Sequence, residues 1–131
     1  MFDLEEVNRY FDNSEDELER LVCLDLISAT EAFLRIDFNN RVEKKDKSDI
    51  GKIFRLLNKK KGNKISLEEE IIESWKVTTG DIIFSNFLGL LKYRHWLAHG
   101  RYWTAKLGRE YSFDIAYEIS ENIFDLISVH S

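Results

Sequence analysis

The chain has 131 residues, 44% of them apolar and 13% aromatic, enough to bury one core and far from the composition of a disordered tail. A net charge of −5, an acidic start (Met1-Phe2-Asp3-Leu4-Glu5-Glu6) and a longest apolar run of only Ile82 to Leu91 argue against a signal peptide and a membrane span, so the expectation is a soluble cytoplasmic protein. With Cys23 as the only cysteine, an intrachain disulfide and a cysteine-based zinc site are excluded. Its place in Leu21-Val22-Cys23-Leu24 reads as a buried, inert thiol.

Proline is absent, so helices can run on without interruption, and Gly62, Gly80, Gly100 and Gly108 fall where the apolar pattern breaks. A short helix is expected from Leu4 to Phe11. Ser14-x-x-Glu17 has the form of a capping box and predicts that a long helix starts there and runs to about Asn40, through Leu18, Leu21, Val22, Ile27, Phe33 and Ile36. Ser48-Asp49 opens a second element carrying Ile50, Ile53, Phe54 and Leu57, which ends in the basic turn Lys59-Lys60-Lys61-Gly62-Asn63. Ser66-x-x-Glu69 is another capping box, ahead of a short helix through Ile71, Ile72 and Trp75. Asp81 is placed to cap a helix from Ile82 to about Ala98, and Gly100 to stop it. Residues 101–111 read as a loop or short ribbon. Ser112 or Asp114 then opens a last helix through Ile115, Ala116, Ile119, Ile123, Phe124 and Ile127. The predicted fold is all-α: one domain over residues 1–131, an up-and-down bundle of four main helices plus a short one.

Charge is unevenly spread. Residues 1–40 hold 11 acids against 3 bases, whereas residues 41–64 hold 10 bases against 3 acids, and residues 82–111 are again basic. The first basic block alone reads as a solvated lysine-rich face. The second contains the segment with the most chemistry.

Turned at about 100° per residue, the helix from Ile82 places Ile83, Phe84, Phe87, Leu88, Leu90, Leu91, Leu97 and Ala98 on one broad arc, with Arg94 near its middle. A permanent cation where packing would favour leucine demands a partner: an acid such as Glu31 on a neighbouring helix, or an arc that faces a pocket or a second subunit. His99 follows five residues later, about 140° around and about 7.5 Å along, so the two side chains do not converge on one straight helix. They meet if the helix end unwinds or if two copies cross at a twofold axis. His95 and His99 share a helical face, but no third ligand is at hand and Trp96 stands where a zinc protease would need glutamate, so no metal is expected. No serine, cysteine or glycine-loop motif supports nucleophilic catalysis or phosphate cradling.

Tyr93-Arg94-His95-Trp96-Leu97-Ala98-His99-Gly100-Arg101-Tyr102-Trp103 resembles the signature of HEPN domains (higher eukaryotes and prokaryotes nucleotide-binding): arginine, a polar residue, a short spacer and histidine late in a bundle helix. About eleven residues carry the likeness. It implies a dimerising helical bundle acting as a metal-independent endoribonuclease, a toxin or antiviral-defence effector with RNA as substrate, an antitoxin protein as partner and no cofactor. In that reading His99 moves the proton of the ribose 2′-hydroxyl or of the leaving 5′-oxygen, and Arg94 binds the scissile phosphate. His95 orients the motif or contacts phosphate, Arg101, Lys106 and Arg109 hold the RNA backbone, and Tyr102 stacks on an unpaired base, as Trp96 and Trp103 could, although core or interface packing suits these two better. Arg101 occupies the place of the tyrosine that is modified in toxins paired with a nucleotidyltransferase, with Tyr102 one residue later. Two alternatives stand beside the enzyme: a non-catalytic HEPN-like module that binds nucleotide or protein, and a helical adaptor whose Arg94 is paired in the core.

Overall fold

A computed structural model describes residues 3–80, 82–98 and 112–130, apart from the side chains of residues 10–13, 15, 16 and 96–98. Five α-helices account for most of these residues: α1 (Leu4–Glu43), α2 (Asp49–Lys61), α3 (Ile72–Thr79), α4 (Ile82–Ala98) and α5 (Phe113–Val129). A 3₁₀ turn (Gly62–Lys64) and a π turn (Leu67–Ile71) join α2 to α3, and no strand occurs among the described residues. The expected all-α bundle is what forms. α1 packs against α2, α4 and α5, and α4 packs against α3 and α5.

One boundary differs from the sequence expectation. α1 is a single helix of 40 residues, about 60 Å long, capped at Asp3, whose carboxylate accepts the Glu6 N–H at 2.8 Å. The separate Leu4–Phe11 helix and the start at Ser14 do not occur. Asn13 and Ser14 each lower helix propensity by only a fraction of a kcal/mol, and no glycine or proline lies between Leu4 and Glu43 to break the hydrogen-bond ladder.

The caps at Ser48, Ser66 and Ser112 follow the sequence, whereas the expected cap at Asp81 and the stop at Gly100 lie outside the described residues. Ser48 accepts the Gly51 N–H at 3.2 Å, and Ser112 accepts the Ile115 N–H at 3.3 Å. Ser66 accepts the Glu69 N–H, as its capping box requires, but the carboxylate that reaches back to the Ser66 N–H is that of Glu70, at 3.1 Å. The wide π turn inserts one residue, which shifts the reciprocal partner by one position. Gly80 ends α3 in the left-handed conformation, φ 65°, where a side chain would be strained.

The core runs the length of the bundle through Ile27, Leu34, Phe54, Trp75, Phe84, Phe87, Leu90 and Ile123, all fully buried. Trp75 is its centre: it stacks on Phe84 at 5.7 Å and meets Phe54 and His130 edge-on. Cys23 is buried as expected. Burial, reinforced by Glu19, pushes its thiol above the ordinary value, which disfavours the reactive thiolate.

A polar clasp closes one end of the bundle. Buried Arg41 donates from Nε to Asp37 and from Nη1 to Asp46 Oδ2 at 2.7 Å and the His130 carbonyl at 2.9 Å, with the Trp75 ring 5.0 Å from its guanidinium carbon. It thereby fastens the end of α5 to the α1–α2 turn. Against that turn, in the first turn of α2, a Cβ on Gly51 would collide with Asp46, including its backbone carbonyl, so only glycine fits.

Hydrogen bonds from the Ser48 side chain and backbone, together with Arg41, outweigh burial and hold the Asp46 carboxyl at about 2, below its ordinary 3.8. A carboxyl lowered in the folded state contributes stability that is present above the unfolded value and lost as pH falls toward 2. Asp46→Asn is therefore expected to lower the melting temperature at pH 7, with the gap to wild type closing between about pH 4 and pH 2. Circular-dichroism melts across that range check it. A gap independent of pH would mean that shape and not charge is what Asp46 supplies. Asp37 titrates in the opposite sense, because burial raises its carboxyl despite the bonds from Arg41.

Candidate functional site

The site is built where α4 crosses α1. Of the predicted arc of α4, Phe84, Phe87, Leu90 and Leu91 are buried and Ile83 and Leu88 half-buried, while the side chains of Leu97 and Ala98 lie outside the described residues. It is buried within the one chain, so covering these residues requires no second subunit. Arg94 lies one turn beyond Leu90 and leaves the core at its edge, with 37% of its side chain exposed. Tyr93 beside it is buried, and His95 on its other side is exposed.

Two residues of α1, three apart and hence neighbours on one helical face, receive Arg94. Its Nε donates to Ser28 Oγ at 3.1 Å and lies 3.0 Å from Glu31 Oε1. The Nε hydrogen points at the serine, so the contact with Glu31 is Coulombic, and Oε1 accepts no aligned hydrogen bond among the described residues. The partner demanded by a cation in an apolar arc is thus Glu31, as the sequence suggested, with Ser28 added. Nothing in the sequence distinguished Ser28 from any other helical serine.

The electrostatics of Glu31 are those of a half-buried acid whose basic neighbours only partly offset its burial, so that its carboxyl stays above the ordinary value. Burial pushes its carboxyl up, Arg94 pulls it back, Glu68 pushes it up again and Arg35 opposes that. Arg35 stands one turn further along α1 from Glu31, so two guanidinium groups flank one carboxylate.

This anchoring uses only one edge of Arg94. Nη1 and Nη2 have no hydrogen-bond partner among the described residues, and the side chain opens to solvent. A guanidinium held at Nε and free at its terminal fork is arranged to accept a bidentate anion such as phosphate. The structure therefore places Arg94 in a half-open, anchored position and His95 at the surface next to it. His99, Arg101, Tyr102, Lys106 and Arg109 lie outside the described residues, as do Trp103 and the side chain of Trp96. Among the described residues no group of three or more His, Cys, Asp and Glu side chains could hold a metal ion, and no helix is long and apolar enough to cross a membrane. No protein-family profile, no curated protein and no solved structure matches this chain.

Proposed function

We propose that the protein is a metal-independent endoribonuclease of HEPN type that cleaves RNA through the ribose 2′-hydroxyl, with Arg94 and His99 as its catalytic residues. The observation that carries this reading is the half-anchored Arg94: its Nε is engaged by Ser28 and Glu31, and its terminal fork has no hydrogen-bond partner among the described residues at the edge of the bundle. A purely structural arginine would spend its donors inside, as Arg41 does in this same chain.

In the proposed reaction Arg94 binds the scissile phosphate and stabilises the charge that grows on it, and His99 transfers the proton of the 2′-hydroxyl or of the leaving 5′-oxygen. The 2′-oxygen attacks phosphorus as the bond to the 5′-oxygen breaks, leaving a 2′,3′-cyclic phosphate and a free 5′-hydroxyl. DNA, which lacks that hydroxyl, is not cut. Arg94 and His99 point about 140° apart on a straight helix, so the reading includes a homodimer in which each copy completes the other's site. A toxin or defence effector in the cytoplasm, restrained by an antitoxin protein, is the biological setting this chemistry fits.

The test is cleavage of labelled RNA by purified wild type, Arg94→Ala and His99→Ala proteins in the presence of a chelator. The expected result is cleavage by wild type alone, cyclic-phosphate ends, and losses of about 10²–10³-fold or more in both variants at unchanged melting temperature. Equal behaviour of all three proteins would leave the helical adaptor, for which the Arg94–Glu31 ion pair is the supporting observation.

A further inference from the structure

Beside the Arg94 site, the C-terminal half of α1, the end of α2 and the turns that follow it enclose a cleft of about 210 Å³. Buried Phe38, Ile65 and Ile71 form its apolar floor. Its rim is polar: the exposed side chains of Asn39, Asn58 and Asn63 and the guanidinium of Arg35. None of these four has a hydrogen-bond or ion-pair partner among the described residues. Three unspent amides, each able to donate and to accept, surround an apolar floor. That combination suits a flat heterocycle with a polar edge.

Size and charge narrow the ligand. The cleft is smaller than the roughly 300–1,000 Å³ of sites that enclose a whole drug-sized ligand, so it takes one ring and leaves the rest of the molecule outside. Lys59, Lys60 and Lys64 are exposed at the end of α2 and in the 3₁₀ turn, with no ion-pair partner among the described residues. The acids nearby are engaged or outnumbered. Glu70 is paired with Lys61 and Glu31 with Arg94, which leaves Glu68 and Glu69 against Arg35 and the three lysines. Arg35 links the two places, standing at the cleft mouth one turn of α1 beyond Glu31, within electrostatic reach of the carboxylate that touches Arg94. The basic block of residues 41–64 thus ends beside a cleft.

We propose that this cleft is the base-reading subsite for the RNA strand. One unpaired nucleobase enters it and is read by the amides of Asn39, Asn58 and Asn63, while Arg35 and the neighbouring lysines hold the flanking phosphates and the strand runs along α1 to Arg94. The inference deepens the ribonuclease reading and rests on RNA being the substrate. It does not depend on cleavage.

The test uses the ¹⁵N-labelled full chain and short single-stranded 2′-O-methyl oligonucleotides, which cannot be cut by the proposed chemistry. The side-chain amide signals of Asn39, Asn58 and Asn63 are expected to shift on titration. Joint Asn39→Ala and Asn58→Ala substitution is expected to weaken oligonucleotide binding by roughly tenfold or more with the backbone spectrum unchanged, the loss of two hydrogen bonds. Nucleoside 5′-monophosphates should move the same signals only at higher concentration. A monophosphate that binds more tightly than the oligonucleotide would make this a site for free nucleotide and overturn the strand assignment. Inorganic phosphate producing the same shifts would reduce it to an anion site, and silent amides would also overturn it. Responsive amides on a protein that cuts no RNA would sink the catalytic reading and leave this one standing; RNA cleavage with silent amides would do the reverse.

Discussion

Replacing Arg41 with alanine is expected to cost about 3–5 kcal/mol of folding stability, the range for removing one partner of a buried charge network. The cost comes from what is left behind. Asp37 and Asp46 lose the cation between them, the His130 carbonyl loses the Arg41 donor, and the Ile127 carbonyl keeps the His130 N–H but loses the guanidinium at the end of α5. The Trp75 ring also loses the guanidinium stacked at 5.0 Å. Against a total stability of about 5–15 kcal/mol this is a large fraction, equivalent to a fall of roughly 10–20 °C in melting temperature for a chain of this size. Urea denaturation should show a lower midpoint with an unchanged slope if the folded state stays intact but weaker. Arg41→Lys should recover part of the loss, since an ammonium keeps the charge but cannot donate in three fixed directions. A melting temperature within a degree or two of wild type in Arg41→Ala would show that the clasp contributes little to holding α5 in place.

That clasp also marks how far the sequence could be read. Helices were legible because their periodicity, the absence of proline and the serine caps at Ser48, Ser66 and Ser112 are all local signals. The expected break at Ser14 failed for the converse reason. A capping pattern states only that a helix can start there, and within a continuous ladder the same serine is tolerated inside the helix. Arg41 pairing with Asp37 is a spacing of four and could be anticipated, but the carbonyls it also binds lie 86 and 89 residues away. Nothing local announces them. The Arg94–Glu31 pair was within reach because burying an arginine without an acid is too costly, so the pattern itself asked for a partner. Ser28 and the amide-rimmed cleft were out of reach, since their meaning arises only when α1, α2 and α4 are brought together. Of the proposed motif, Arg94 and the exposed position of His95 belong to the described residues, and His99 does not.

Arg94→Lys is expected to separate the two roles an arginine can play at this position. In stability terms the substitution is mild. The pair with Glu31 is partly exposed, with 37% of the arginine side chain and 24% of the glutamate side chain accessible, and such pairs contribute only about 0–1 kcal/mol. A lysine retains the charge that Glu31 faces. In the proposed reaction, however, one ammonium must do what two edges of a guanidinium do: it cannot satisfy Ser28 and Glu31 through one nitrogen while offering two others to a phosphate. Cleavage should therefore fall by about 10²–10³-fold, the loss typical of removing a donor that stabilises transition-state charge, with the melting temperature nearly unchanged. Glu31→Gln completes the comparison. Because burial raises the Glu31 carboxyl above its ordinary value, its charged form is already disfavoured in the fold, so the neutral amide should leave stability at pH 7 unchanged or slightly higher. An Arg94 no longer drawn toward a carboxylate would then be less well aimed, with a smaller loss of cleavage than in Arg94→Lys. Measured side by side, a lysine variant that is stable but inactive assigns Arg94 to the chemistry, whereas one that cleaves RNA as wild type does would assign it to the packing of α4 on α1.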